Sequence, residues 1–182
     1  MLDVQNAVAA ASPPHEIRRA DYRPPDWLVP DIALEFDLAA ERTHVRATLS
    51  VVRNGTHDRP LVLDGEGLVP LRVECDGVIV PDWRLAEDTL TIAIDGDRAT
   101  IVTEVALTPA ANTQLMGLYA SGGLLCTQCE AEGFRRITFF PDRPDVLSRY
   151  RVRLTADRAR YPVLLSNGDP VATATLDDGR HC

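Results

Sequence analysis

Short runs of alternating apolar and polar residues begin near residue 27 and constrain the fold of this chain more than any other feature. Ile32, Leu34 and Phe36 occupy alternate positions, with Glu35 and Asp37 between or beside them. A period of two is typical of strands that bury one face. The same pattern, or a shorter version of it, recurs in residues 45–51, 61–63, 71–73, 90–94, 101–107, 150–154, 163–165 and 171–176.

Turn signals separate these runs. Asn54-Gly55, the Asp-Gly-Asp at 95–97 and the Ser-Asn-Gly-Asp at 166–169 each follow a strand candidate, as is typical of all-β domains. No long helical stripe is present, and residues 131–138 have room for two short helical turns. The sequence therefore predicts an all-β fold, built as an antiparallel sandwich or curved sheet with a few short helical turns.

The chain length of 182 residues fits one domain with an additional arm. Residues 1–21 are rich in Ala, Pro and charge and show no period, which predicts a flexible N-terminal arm. Residues 22–182 then form the β domain. Because the chain stops just after a turn, where a new strand would begin, we expect the polypeptide to continue beyond Cys182.

Composition narrows the function classes. The net charge of −8 argues against general nucleic-acid binding, because phosphate contacts need a basic surface. No apolar run approaches the roughly 20 residues of a membrane-spanning helix. The N-terminus lacks the basic leader and apolar core of a signal peptide, which favours a cytoplasmic location. The four cysteines are then expected to be reduced thiols.

Residues 126–150 combine carboxylates, arginines, aromatic residues and two cysteines without a clear period. Such a segment is poor core material, so we expect its residues to serve binding or docking. Gln128, Glu130 and Glu132 stand at alternate positions, which in an extended segment point to one side. Two interpretations stay open: the carboxylates hold an ammonium group in a pocket, or Glu132 pairs with Arg135 or its neighbour across a short turn. From residue types alone the ion pair is favoured.

The spacing Cys126-Thr-Gln-Cys129 is that of half a zinc site or of a redox pair. A structural zinc site needs two further ligands, and Cys75 and Cys182 are isolated in the sequence. A redox motif needs a βαβ context, which the strand pattern does not offer. We therefore interpret the pair as two half-buried thiols and predict no metal ligand. No catalytic residue is predicted either, because no recognisable frame of Ser, His and Asp is present.

Longer motifs resemble a known family. Residues 124–135 read Leu-Leu-Cys-Thr-Gln-Cys-Glu-Ala-Glu-Gly-Phe-Arg, and residues 139–145 read Phe-Phe-Pro-Asp-Arg-Pro-Asp. Both runs closely resemble the N-terminal domain of bacterial aminopeptidase N, a zinc metallopeptidase of the gluzincin type. Further similarity extends the resemblance over about residues 20–182, through the motifs at 22–27, 109–113, 117–121, 161–168 and 178–181.

The resemblance implies a saddle-shaped β domain that packs on a catalytic domain of the same polypeptide. It implies that Glu130 helps to bind the free α-amine of a peptide substrate and that Gln128 borders the pocket for the first side chain. Zinc and its ligands would lie beyond residue 182, so this part alone is expected to be inactive. The expected partners are peptide N-termini and the catalytic domain, with neither nucleic acid nor membrane. The alternative is a stand-alone β-sandwich module that uses the 126–150 segment for protein interaction.

Overall fold

The computed structural model describes residues 18–182, and residues 1–17 of the predicted arm lie outside the described residues. The described strands are β1 (Trp27–Leu38), β2 (Thr43–Arg53), β3 (Leu61–Asp64), β4 (Arg72–Cys75), β5 (Val78–Ile79), β6 (Arg84–Ala86), β7 (Thr89–Ile92), β8 (Arg98–Leu107), β9 (Gly117–Ser121), β10 (Leu124–Gln128), β11 (Arg149–Asp157) and β12 (Arg180–His181). Single 3₁₀ turns span Arg19–Asp21, Pro109–Ala111 and Phe134–Arg136. Across residues 18–182, no helix has the length and apolar character needed to cross a membrane.

Seven strands form the main sheet, in the order β12-β11-β1-β2-β8-β4-β5. The long strands β1, β2 and β8 pair antiparallel along most of their length. β11 is parallel to β1, with partners from Asp31 and Arg149 to Leu38 and Ala156. A parallel pair needs a long connection, and here most of the chain lies between the two strands. The main sheet is therefore mixed rather than purely antiparallel.

The hydrophobic core lies between the main sheet and a smaller sheet, β3-β7-β6. Val45 and Leu49 of β2 are fully buried, and they belong to the same apolar cluster as Leu63 of β3 and Ile92 of β7. Burial of each such side chain contributes about 1.5–3 kcal/mol relative to exposure. The alternation seen in the sequence thus corresponds to side chains that enter this core.

The other face of the main sheet carries a row of alternating charge. Arg153, Glu35, Arg46, Glu104 and Arg72 are successive cross-strand partners on β11, β1, β2, β8 and β4. Arg46 and Glu104 also form an ion pair. Opposite charges placed across neighbouring strands contribute roughly 0.2–1 kcal/mol per pair. The row therefore keeps this face polar and supports the register of the sheet.

The predicted all-β class is confirmed, and so are the strands predicted at residues 32–38, 45–51, 61–63, 71–73, 90–94, 101–107 and 150–154, at least in their central parts. The strands predicted at 163–165 and 171–176 are wrong, since only an isolated bridge at Thr175 forms there. Val163 and Leu165 are 69% and 84% exposed. Alternation produces a strand only where a partner edge is available. Residues 163–165 pair with none of the described strands, and residues 171–176 contact β12 only through the bridge between Thr175 and His181 and the backbone hydrogen bonds beside it.

Gly65 allows the segment that contains Phe139 and Phe140 to pack closely against the end of β3. A Cβ added at Gly65 would lie 2.1 Å from Cε1 of Phe139, whose side chain is fully buried. Next to this contact, Asp64 and Phe140 exchange two backbone hydrogen bonds of 2.9 and 3.1 Å. Only a residue without a side chain lets the phenylalanine ring lie this close to the backbone after β3.

We expect Gly65→Ala to lower the unfolding free energy of the chain by about 3 kcal/mol, because the added methyl group overpacks a filled core. In a Phe139→Leu background the same substitution should cost less, since the smaller side chain leaves room for the methyl group. The measurement is urea unfolding followed by tryptophan fluorescence. Gly67→Ala is the control for backbone strain: a Cβ there meets no atom within 4 Å, but the φ of 68° makes any side chain cost about 1–2 kcal/mol, and this cost should be the same in both backgrounds. An equal cost of Gly65→Ala in both backgrounds would contradict the steric explanation.

Candidate functional site

The site begins with the β9–β10 hairpin, whose two strands the sequence did not predict. Gly122 and Gly123 form its turn with φ values of 56° and 84°, and two positive φ values are typical of tight hairpin turns. The pairing continues to the far end of the hairpin, where Gln128 lies opposite Gly117. The hairpin therefore places Gln128 at a strand end, directly before the segment that carries Glu130.

A tight turn follows the hairpin and holds Glu130. The amide of Gly133 donates a hydrogen bond of 2.8 Å to the carbonyl oxygen of Cys129. A Cβ at Gly133 would lie 2.7 Å from both the Cys129 Cα and the Gln128 carbonyl oxygen. The peptide bond between Glu130 and Ala131 is cis. The turn is closed so tightly that position 133 accepts only glycine without a displacement of the backbone.

The structure separates the two carboxylates that the sequence grouped together. Glu132 forms an ion pair of 3.5 Å with Arg135, as one of the two interpretations predicted. Glu130 is exposed, and among residues 18–182 its carboxylate has no hydrogen-bond or ion-pair partner. The exposed side-chain amide of Gln128 approaches the Glu130 carbonyl oxygen at 3.5 Å. Glu130 is thus the carboxylate of this segment that stays available to a ligand.

Arg135 fastens the turn to the rest of the domain. Its backbone amide and its Nε both donate to Asp142 Oδ2 at 3.1 Å, and Asp142 in turn accepts a guanidinium contact through its carbonyl oxygen at 2.8 Å. The backbone amide of Asp142 donates to Asp64 at the end of β3, at 2.9 Å. Burial opposes the charge of Arg135, but the hydrogen bond to Asp142 and the nearby carboxylates raise its pKa above the ordinary value.

Three aromatic rings support the turn from the side of β11. Phe134 packs edge-on against Phe140 and Tyr150, with ring centroids 5.1 and 5.9 Å apart. Burial, and secondarily the charges of Asp142 and Cys129, raises the pKa of the Tyr150 hydroxyl. Edge-to-face pairs of this kind contribute about 0.5–1.5 kcal/mol beyond the area they bury. The segment around Glu130 is therefore held by aromatic packing as well as by ion pairs.

Sequence reasoning missed two glycines that shape the site. Gly117 has a φ of 73°, and a Cβ there would lie 2.7 Å from Cβ of Arg136. Gly133 has the close contacts described above. A glycine in a segment without periodicity is the available signal, because it often marks a close backbone approach.

The cysteines form neither a disulfide nor a metal site. All four are free thiols. Burial, and to a smaller degree Asp142, raises the pKa of the Cys129 thiol, which therefore stays protonated at neutral pH. Within residues 18–182, no three His, Cys, Asp or Glu side chains come together in a group that could hold a metal ion. The described donor set does not fit zinc.

Gln128 and Glu130 stand on an open surface. One concavity lies between the end of β2 and the start of β8 and contains Arg53, His57 and Asp97. A second one lies over the charged face of the main sheet. Neither of these two concavities includes Gln128 or Glu130, and both residues are exposed.

Comparison with known proteins connects this geometry to a family. The model of the Peptidase M1 N-terminal domain matches residues 79–182, which is more than half of the chain. The chain therefore belongs to the family of M1 peptidase N-terminal domains, and the resemblance seen in the sequence is confirmed.

Two relatives are particularly similar in sequence. Aminopeptidase N of Caulobacter vibrioides is 51% identical over 170 residues, and aminopeptidase N of Escherichia coli is 48% identical over 163 residues. These alignments cover 92% and 90% of this chain but 20% and 19% of the relatives. The chain spans about a fifth of the length of the curated relatives that it matches.

Solved structures agree in fold. The crystal structure of Legionella pneumophila aminopeptidase A in complex with aspartic acid matches with a TM-score of 0.84 and 34% identity, over 89% of this chain and 20% of that chain. The M1 zinc metallopeptidase from Deinococcus radiodurans matches with a TM-score of 0.69 and 20% identity, over 86% of this chain and 38% of that chain. The second similarity concerns the fold alone.

Gly133→Ala should open the turn that carries Glu130, because the added methyl group meets backbone atoms that have no room to move. We expect amide exchange at position 133 to accelerate by about tenfold or more, since such overpacking costs about 1–3 kcal/mol. Hydrogen–deuterium exchange measures this directly. Glu132→Ala in the same turn is the control and should leave the protection at position 133 in place. Unchanged protection in Gly133→Ala would show that the turn tolerates a side chain.

Proposed function

We propose that this chain is the substrate-recognition part of a zinc-dependent aminopeptidase that removes N-terminal residues from peptides, and that Glu130 binds the substrate α-amine. The observation that carries the proposal is the exposed Glu130 carboxylate, which lacks a partner among the described residues and stands on a turn held from several sides. An aminopeptidase must recognise a free ammonium group, and a fixed carboxylate is its natural counter-ion. Membership of the M1 family supports this assignment.

The contribution of Glu130 to substrate binding depends on whether its carboxylate is shielded from water. An exposed ion pair contributes about 0–1 kcal/mol, whereas a charge pair that is shielded from water and loses one partner costs about 2–5 kcal/mol. We infer that another part of a longer polypeptide covers the open surface around Glu130 and completes the pocket. The relatives, of which this chain spans about a fifth, have the additional length that such a cover requires.

Gln128 takes a second role in this proposal. It is exposed at the end of β10, two residues before Glu130, and its amide already approaches the Glu130 carbonyl oxygen. A neutral amide can contact the first residue of a peptide without competing for the ammonium group. Gln128 would therefore border the pocket for the first side chain while Glu130 supplies the charge.

In this proposal, zinc is bound by residues that lie outside this chain. The related M1 enzyme from Deinococcus radiodurans is named a zinc metallopeptidase, and the described residues here offer no zinc site. We place the metal ligands and the proton-transferring groups in the covering part of the polypeptide. We also propose that the enzyme is located in the cytoplasm, where its four free cysteines would stay reduced.

Glu130→Ala in the complete polypeptide should lower kcat/KM for an aminoacyl p-nitroanilide, because the ammonium group loses its shielded counter-ion. The loss should correspond to about 2–5 kcal/mol of transition-state stabilisation. Glu132→Ala is the matched control: the same side chain is removed two residues away, from a carboxylate already paired with Arg135. Its kcat/KM should change less than threefold. A loss below threefold in Glu130→Ala would show that this carboxylate does not bind the amine.

The chain on its own should hydrolyse no peptide. We expect residues 1–182 with added zinc to release no p-nitroaniline above the rate of buffer, whereas the complete polypeptide releases it. Measurable hydrolysis that co-purifies with the isolated chain and disappears on chelation would overturn the assignment of the metal ligands to another part of the enzyme.

A further inference from the structure

A loop before β9 packs directly behind the turn that carries Glu130. A Cβ added at Gly133 would lie 3.1 Å from Cε of Met116, so the end of the half-buried Met116 side chain lies against the backbone of the turn. Gly133 is thereby held between the Gln128–Cys129 backbone and this methyl group. An apolar contact on one side and a hydrogen bond on the other leave the turn little freedom to rotate.

Asn112 holds this loop in place. Its side-chain amide donates to the carbonyl oxygens of Met116 at 2.8 Å and Leu118 at 2.9 Å. Its side-chain oxygen accepts a hydrogen bond of 3.1 Å from the amide of Gln114. The half-buried Asn112 side chain thus makes three hydrogen bonds to the backbone on both sides of Met116 and at Met116 itself.

The loop also meets the site through β9. Gly117 follows Met116 directly and is the cross-strand partner of Gln128. Its positive φ and its close approach to Arg136 fix the direction in which the chain leaves the loop. The position of Met116 is therefore determined at both ends, by Asn112 before it and by Gly117 after it.

We propose that Met116, clamped by Asn112, is a positioning residue that sets the orientation of the Glu130 carboxylate. The inference rests on the proposed role of Glu130 in amine binding and deepens it. Met116 does not need to touch the substrate: it fills the space behind Gly133, and the filled space keeps the turn in one arrangement. Positioning errors of about 1 Å in binding groups lower enzyme efficiency by up to about a hundredfold.

The expected kinetic signature is an increase in KM. If Glu130 binds the amine equally in the ground state and the transition state, then a mispositioned carboxylate weakens binding and leaves kcat unchanged. Met116→Ala in the complete enzyme should therefore raise KM for an aminoacyl p-nitroanilide by about tenfold, with kcat within about twofold. Met116→Leu, which keeps most of the volume, should restore KM to within about threefold of the original value.

A double-mutant cycle with Glu130→Ala separates positioning from a general structural effect. In the Glu130→Ala background, Met116→Ala should have no further effect on KM, because the group that it positions is gone. Asn112→Ala should raise KM in the same way as Met116→Ala and should not add to it. Leu124→Ala is the control for the loss of an apolar side chain elsewhere in the hairpin: it removes a side chain that is 64% exposed, at the end of β10 away from Gln128.

The outcomes are distinguishable. If Glu130→Ala alone leaves kcat/KM unchanged, the proposed function fails and this inference fails with it. If Glu130→Ala has its expected effect but Met116→Ala leaves KM unchanged, the positioning role alone is overturned. An equal increase in KM for Met116→Ala with and without Glu130, or an equal increase for Leu124→Ala, would also overturn it.

Discussion

The hydrogen bond from the Gly133 amide to the Cys129 carbonyl closes the turn on which the candidate site depends. It forms because position 133 lacks a side chain, which lets the turn fold back onto the Gln128–Cys129 backbone. Around this bond, Arg135 ties the following residues to Asp142, and Phe134 packs between two other rings. The Glu130 side chain takes part in none of these contacts, so an exposed carboxylate is carried by a segment that is itself well anchored.

This arrangement assigns different roles to similar side chains. Glu132 and Glu130 are two residues apart. Glu132 forms an ion pair with Arg135, whereas the Glu130 carboxylate has no partner among the described residues. A carboxylate on an open surface interacts weakly with cations because water screens it. Under the proposed function, covering the surface changes the strength of the interaction, and the domain contributes a charge whose effect depends on the rest of the enzyme.

Much of the fold could be predicted from the sequence, because a period of two directly reflects burial on one face of a strand. Val45 and Leu49 were recognised in this way, and both are fully buried. The same reasoning failed for residues 163–165, whose alternation has no partner strand. It also missed β9 and β10, because the hairpin depends on the φ angles of Gly122 and Gly123 rather than on periodicity. The family followed from the motif at residues 124–135, which is unusual in composition.

The sequence by itself determined the all-β class, the central strands and the family, because these depend on local periodicity and on distinctive runs of residues. It also marked Gln128 and Glu130 as candidates. The ion pair of Glu132 with Arg135, three residues away, was also within reach of the sequence. Only the tertiary structure showed that Asp142 anchors Arg135 and that Glu130 has no partner among the described residues. The contact between Met116 and Gly133 joins residues from different loops. Such contacts arise from packing between segments, which no local pattern specifies.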